Sequence, residues 1–390
     1  MSCHPKTAGL LAGMAVVASV LAFTSTGASA SVPVRLQAPI AAAPPYRVKG
    51  NKVVGANGVQ FVPYGFVIDC TSLTDVPENE LCQGKSNQSP WTGSSMLSAA
   101  ASFWNADVIR LQVSQEYLFS SNGQVNTQYL DLIHSLVNQA TSLHMASILT
   151  LQEERFHAPP LPTASALQFW SYMAQHFRRN PHVLFDLFNE PRLSTSAVGG
   201  SERRVWQIWR NGGTVDGAQY VGDQALVRTI RSAGAKNVII AEGNDSDRDL
   251  TLLPKYYLRG RNIAYGVEPN LSSQQDTQAE WNAAFGRFTR AVPVFPEAFH
   301  PQYQECSPNA PTVLPQLFHY LQKIRMGLIV WTLLPGVTTV GTNLDDPTTF
   351  ALSRRSTDPC FRGHHRHAVL TTTYGEGADV QRYFAANSPG

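Results

Sequence analysis

Short apolar or β-branched runs recur along the chain at residues 61–68, 107–113, 146–151, 183–188, 237–241, 263–267, 292–295 and 327–331, and stretches with helical periodicity separate them. The helical stretches cover 127–143, 164–179, 220–233, 278–290 and 313–325, with 374–387 following the last run. Strands that alternate with helices must pair in parallel through right-handed crossovers. Eight such units predict an α/β fold, a single (β/α)8 TIM barrel with its chemistry at the C-terminal ends of the strands. Ahead of the first run, Gly50-Asn51 and Asn57-Gly58 sit between short apolar segments and predict an N-terminal β-hairpin. An open doubly wound sheet is the alternative, but no glycine-rich phosphate-binding signature follows any of the runs.

Residues 1–30 read as an export signal: Lys6 gives the positive start, 10–23 is apolar, and Ala28-Ser29-Ala30 offers small residues for cleavage. The apolar run falls short of the about 20 residues a membrane span needs. A secreted protein, extracellular or periplasmic and free of the membrane once cut near Ala30, is expected. Residues 31–45 are rich in Pro and Ala and read as a linker or flexible arm, leaving 46–390 as one domain. Removing Lys6 lowers the formal net charge from +2 to +1, which disfavours nucleic acid as a partner. The cut also leaves an even set of cysteines, Cys70, Cys82, Cys306 and Cys360, in a compartment where disulfides persist. Their spacing fits no zinc motif, and it leaves all three pairings open; joining 70 to 82 and 306 to 360 would stiffen neighbouring loops.

Two of the runs end in a carboxylate. The fourth reads Phe185-Asp186-Leu187-Phe188-Asn189-Glu190-Pro191 and the seventh Val294-Phe295-Pro296-Glu297. In a parallel barrel both positions share one rim. Cleavage of a glycosidic bond needs such a pair: one carboxylic acid protonates the leaving oxygen while the other carboxylate attacks the anomeric carbon. Glu190 and Glu297 are therefore expected to form such a pair, about 5–5.5 Å apart if the anomeric configuration is retained.

Through these segments, with Val108-Ile109-Arg110-Leu111 on the second run and Val330-Trp331 on the eighth, the chain resembles glycoside hydrolase family 5, the cellulase-type barrels with two catalytic glutamates. The resemblance implies that Glu190 is the acid/base and Glu297 the nucleophile, that Arg110 holds the nucleophile, that Asn189 binds the sugar 2-hydroxyl and that Trp331 forms a stacking floor. An arginine beside Glu297 should lower its pKa and keep it ionised, while Glu190 must be protonated before cleavage. The chain departs from the family pattern where Gln152 ends the third run and where Glu268 and Asn270 follow the sixth, in place of the usual histidines and tyrosine. A third carboxylate at Glu268 is expected to raise at least one pKa in the pocket.

Trp91 is a further candidate stacking surface, whereas Trp206 and Trp209, at helical spacing, read as core. The cluster His364, His365, His367 and the alternating Asp245, Asp247, Asp249 lack the partners that a metal or calcium site requires, so no metal or cofactor is expected. The chain thus reads as a monomeric hydrolase of β-linked glucan or mannan. A non-catalytic carbohydrate-binding barrel and a transglycosylase using the same glutamates are the alternatives.

Overall fold

The computed structural model describes residues 46–68, 93–120, 122–153, 159–269, 277–299, 310–331 and 376–388. All of them belong to the unit Ala42–Gly390. The expected signal and arm, Trp91, Asn270, the histidine cluster and the cysteines Cys70, Cys82, Cys306 and Cys360 lie outside the described residues.

The N-terminal hairpin pairs β1 (Arg47–Lys49) with β2 (Lys52–Val54) around Gly50-Asn51, with Gly50 in the left-handed region at φ 61°. There follow β3 (Tyr64–Ile68), β4 (Val108–Ser114), β5 (Ala146–Glu153) and β6 (Val183–Asp186). A small hairpin, β7 (Gly213–Val215) with β8 (Ala218–Tyr220), stands apart from the main sheet. The chain then adds β9 (Ile239–Glu242), β10 (Ile263–Val267), β11 (Val294–Pro296) and β12 (Leu328–Val330). Among the described residues eight strands form one parallel sheet in the order β11-β10-β9-β6-β5-β4-β3-β12. A parallel bridge between Phe299 and Val330 joins its two ends, with Phe299 N–H donating to Ile329 O at 2.7 Å and Trp331 N–H to Phe299 O at 3.0 Å. The result is the (β/α)8 barrel, and each of the eight apolar runs in the sequence supplies one of its strands.

Helices Thr127–Ser142, Ala164–Phe177, Asp223–Ser232, Gln278–Ala284, Ala310–Ile324 and Glu376–Asn387 occupy the stretches with helical periodicity. Side-chain caps fix several starts: Asn126 accepts from Tyr129 N–H, and Thr277 and Glu280 form a reciprocal capping box. Two further helices lie outside the stretches assigned from the sequence. Gly93–Trp104 is mostly Ser and Ala, without a broad apolar stripe, whereas Glu202–Asn211 is only ten residues long and its one signal is the apolar face of Val205, Trp206, Ile208 and Trp209.

The strand period of two sorts side chains into two cores. Outward-facing residues such as Ile109, Leu149, Phe185 and Tyr265 pack against the helices. Inward-facing Val67, Val108, Ile148, Leu184, Ile240, Ala264, Phe295 and Ile329 fill the lower barrel, and Val53 of the hairpin closes its floor. One step further along the same alternation the interior becomes polar, with Arg110, Thr150, Asp186, Glu242 and Glu297 all fully buried.

At the N-terminal ends of the strands lies a cavity of about 610 Å³, lined in part by Tyr46, Phe61, Asp107, His182 and Arg325, at the opposite end from Glu190 and Glu297. Asp107 Oδ1 accepts the Tyr64 N–H at 2.7 Å there, and burial pushes its carboxyl from 3.8 up to about 7 despite that bond. The unfolded chain loses this proton first, so the contribution of Asp107 to stability is full below about pH 4 and is lost as pH rises to about 7. Asp107→Asn keeps an acceptor for Tyr64. In urea unfolding it should match wild type at pH 4 and exceed it by about 2 kcal/mol at pH 8.

Candidate active site

Arg110, on β4, organises the polar layer. Its Nη2 donates to Asp186 Oδ2 at 2.8 Å, to Asn189 Oδ1 at 2.8 Å and to Glu242 Oε1. Its Nε donates to Asp186 Oδ2 at 3.2 Å and lies 3.0 Å from Glu297 Oε2. The Thr150 hydroxyl adds a third side-chain donor to Asp186 Oδ2 at 2.7 Å. Asp186, Glu242 and Glu297 are the group of three whose ligand atoms approach closely enough to hold a metal among the described residues. The guanidinium touches all three and is the cation that faces this cluster.

One arginine cannot neutralise three buried carboxylates. Burial alone would favour loss of its proton, but Glu242, Asp186 and Glu297 together hold the Arg110 pKa well above its usual value. Burial raises the carboxyl of Glu297 well above the ordinary carboxylate range, and Asp186 raises it further; Arg110 acts the other way. The arginine thus has the expected sign, but it does not hold the Glu297 pKa low, because desolvation and neighbouring carboxylates outweigh it. Glu268, immediately after β10, is buried and is one of the charges that raise Glu297. The contact from Arg110 to Glu297 is an ion pair without hydrogen-bond alignment, and neither Glu297 oxygen has a hydrogen-bond partner among the described residues.

Asn189 and Glu190 follow β6. Arginine only donates, so Asn189 must turn its oxygen to Arg110, which leaves the amide NH2 as its other face. Glu190 is half-buried and adopts φ 50°, an uncommon conformation for a residue preceding proline. Its backbone N–H donates to Glu242 Oε2 at 2.7 Å and to Asp247 Oδ2 at 3.2 Å. Gln152 continues the inward row of β5, and half-buried Trp331 packs on the inner core at the end of β12.

Sequence reasoning passed over Asp186 and Glu242 as site residues and read Asp247 only as part of a sugar-contacting or merely acidic loop. Glu242 carries the same signal as Glu190 and Glu297, a carboxylate where an apolar strand ends, at the close of Ile239-Ile240-Ala241. Trp206 and Trp209 are core, as their spacing implies, and the Trp209 indole donates to Glu242 O at 2.9 Å, while Trp170 does the same for Leu187 O at 2.8 Å. These tryptophans brace from outside the strand ends that carry the inward carboxylates.

The sequence pattern described as Cellulase (glycosyl hydrolase family 5) matches residues 72–304. The chain belongs to this family of glycoside hydrolases. No curated protein sequence matches it. Among solved structures, the family 5 barrel is similar to a β-glucanase from Saccharophagus degradans, with TM-score 0.62 and 18% identity over 88% of this chain and 93% of that one. The catalytic domain of an endoglucanase from Thermobifida fusca gives TM-score 0.61 and 17% identity over 87% and 97% of the two chains. An endocellulase from Pyrococcus horikoshii, in complex with cellotetraose, gives 0.59 and 16% over 78% and 94%.

Gly266 on β10 lies between the strands that carry Glu242 and Glu297. A Cβ there would come within 2.7 Å of Glu297 Cγ and 2.9 Å of Glu242 Cγ. Gly266→Ala is therefore expected to destabilise the protein by about 1–3 kcal/mol in urea unfolding, because neither buried carboxylate has room to retreat.

Proposed function

We propose that this family 5 chain is an exported retaining hydrolase of β-linked glucans. Glu190 serves as acid/base and Glu297 as nucleophile. The observation that carries the reading is Glu297 itself: a fully buried strand-end carboxylate beside a guanidinium, with both oxygens lacking hydrogen-bond donors. A buried carboxylate ordinarily has at least one hydrogen-bond partner. One with open lone pairs has acceptor capacity left for a reacting carbon and for the sugar hydroxyl next to it.

In the first step Glu190 gives its proton to the leaving glycosidic oxygen as a Glu297 oxygen bonds to the anomeric carbon. In the second, Glu190 takes a proton from water, which displaces Glu297 and restores the original configuration. The Asn189 NH2, turned away from Arg110, is placed to donate to the 2-hydroxyl of the reacting sugar, and Trp331 offers an aromatic face beneath it. Gln152 and Glu268 add polar groups at the C-terminal ends of β5 and β10. Glucan is favoured over mannan as substrate because the similar barrels are a β-glucanase and endoglucanases, and structures of this kind have been determined with cellotetraose. Export follows from residues 1–30 and suits a polymer that cannot enter a cell.

Purified protein lacking residues 1–30 should release reducing sugar from soluble β-glucan, with the β-anomer as the first product by proton NMR. Glu297→Gln should lower kcat by at least about a thousandfold without unfolding the barrel. Binding of glucan without turnover by the wild type would favour the non-catalytic barrel instead.

The pH profile gives an independent check. Glu297 must be ionised to attack, and burial with Asp186 raises its pKa, so activity disappears as pH falls through that raised value. The acid limb of kcat/KM should lie clearly above the ordinary carboxylate range. A limb at an unperturbed carboxylate value contradicts this electrostatic environment.

A further inference from the structure

The loop after β9 carries three consecutive non-glycine residues with left-handed backbone, Asp245 at φ 63°, Ser246 at 51° and Asp247 at 60°. Each such residue costs on the order of 1 kcal/mol, and strain of this kind persists only where surrounding contacts impose it. Here those contacts converge on Glu190. Ser246 N–H donates to Pro191 O at 3.0 Å, and Glu268 N–H donates to Asp247 O at 2.9 Å, so the loop is fastened to the segments that follow β6 and β10. The strained turn delivers the Asp247 carboxyl, fully buried, against Glu242 and the Glu190 N–H.

Two carboxylate oxygens, Glu242 Oε2 and Asp247 Oδ2, meet on that one N–H. Both carboxylates are fully buried and their oxygens converge on a single donor, so two ionised groups would repel each other there and a proton held between them removes that repulsion. From this geometry we infer that Glu242 and Asp247 share one proton and act as a positioning pair that locks Glu190 for acid/base work. Glu242, in contact with Arg110, is the ionised partner, and Asp247 is the one that carries the hydrogen. The charged groups acting on the pair agree with this assignment. Glu242 faces Asp186, Arg110 and Asp247, while Asp247 faces Glu242, Glu268 and Glu190 with no cation among them. Burial and then Glu242 push the Asp247 carboxyl well above its usual range.

The inference rests on the proposed role of Glu190, so its test has one arm that needs no turnover. Asp247→Asn supplies an amide donor to Glu242 and tolerates left-handed backbone, whereas Asp247→Gly removes the side chain and relieves the strain, so both variants can fold. In infrared spectra of protein labelled with ¹³C at aspartate carboxyls, wild type at pH 7 should show a protonated-acid band that is weaker in Asp247→Asn. In the kinetic arm, Asp247→Asn should stay within about threefold of wild-type kcat with an overlaid pH profile, and Asp247→Gly should lose at least about tenfold in kcat with KM within about twofold. An unchanged infrared band in Asp247→Asn overturns the shared proton. Wild-type kcat in Asp247→Gly, or an equal loss in Asp247→Asn and Asp247→Gly, overturns the positioning role. Absence of turnover in the wild type counts against the proposed function, and the infrared band still decides the state of the pair.

Discussion

A single guanidinium facing three buried carboxylates is the constraint from which the upper barrel is built. Arg110 touches Asp186, Glu242 and Glu297, which arrive from three different strands, and it also orients Asn189. Such a cluster is costly to assemble, because each charge must leave water. It is tolerated because the apolar lower barrel and the outer core support it on every side. The same imbalance explains its chemistry: with more negative than positive charge in a dry layer, protons bind, and the raised pKa values of Glu242, Asp247 and Glu297 follow from burial acting together with their neighbours.

The layer also shows how backbone geometry serves a site. Gly266 is the gap in the inward row that lets Glu242 and Glu297 come close from either side of β10. Glu190, by contrast, is held from behind, with its backbone turned to φ 50° and its N–H taken by two carboxyl groups. Glu297 keeps its oxygens free of hydrogen-bond donors and Glu190 keeps its side chain half-exposed, which suits the nucleophile and proton donor proposed for them. Bracing tryptophans set the strand ends from outside the barrel, so their helical spacing serves the site from the outer core.

The barrel was legible in the sequence because strand burial on both faces produces continuous apolar runs, which mark parallel strands. Boundaries shifted where local chemistry intervened: Pro63 delays β3 to Tyr64, and β6 stops at Asp186, ahead of Phe188. Glu190, Glu297, Arg110 and Asn189 were legible as candidates because each stands at or next to an apolar strand segment, with the run through Asn189-Glu190-Pro191 the specific part of the family resemblance. Glu242 and Asp247 were not, for different reasons. Glu242 had the strand-end signal but no motif around it. Asp247 had the look of an acidic surface loop, and only the left-handed turn, invisible to periodicity, carries it inside.

Covalent capture tests the assignment of the nucleophile most directly. A 2-deoxy-2-fluoro glucoside with an activated leaving group slows the second displacement more than the first, so the glycosyl-enzyme accumulates. Peptide mass spectrometry of the inactivated protein should place the fluoroglucosyl group on the peptide containing Glu297, with Glu190 unmodified. A label on Glu190, on Asp186 or Glu242, or on no residue despite turnover of the parent substrate, would contradict the assignment.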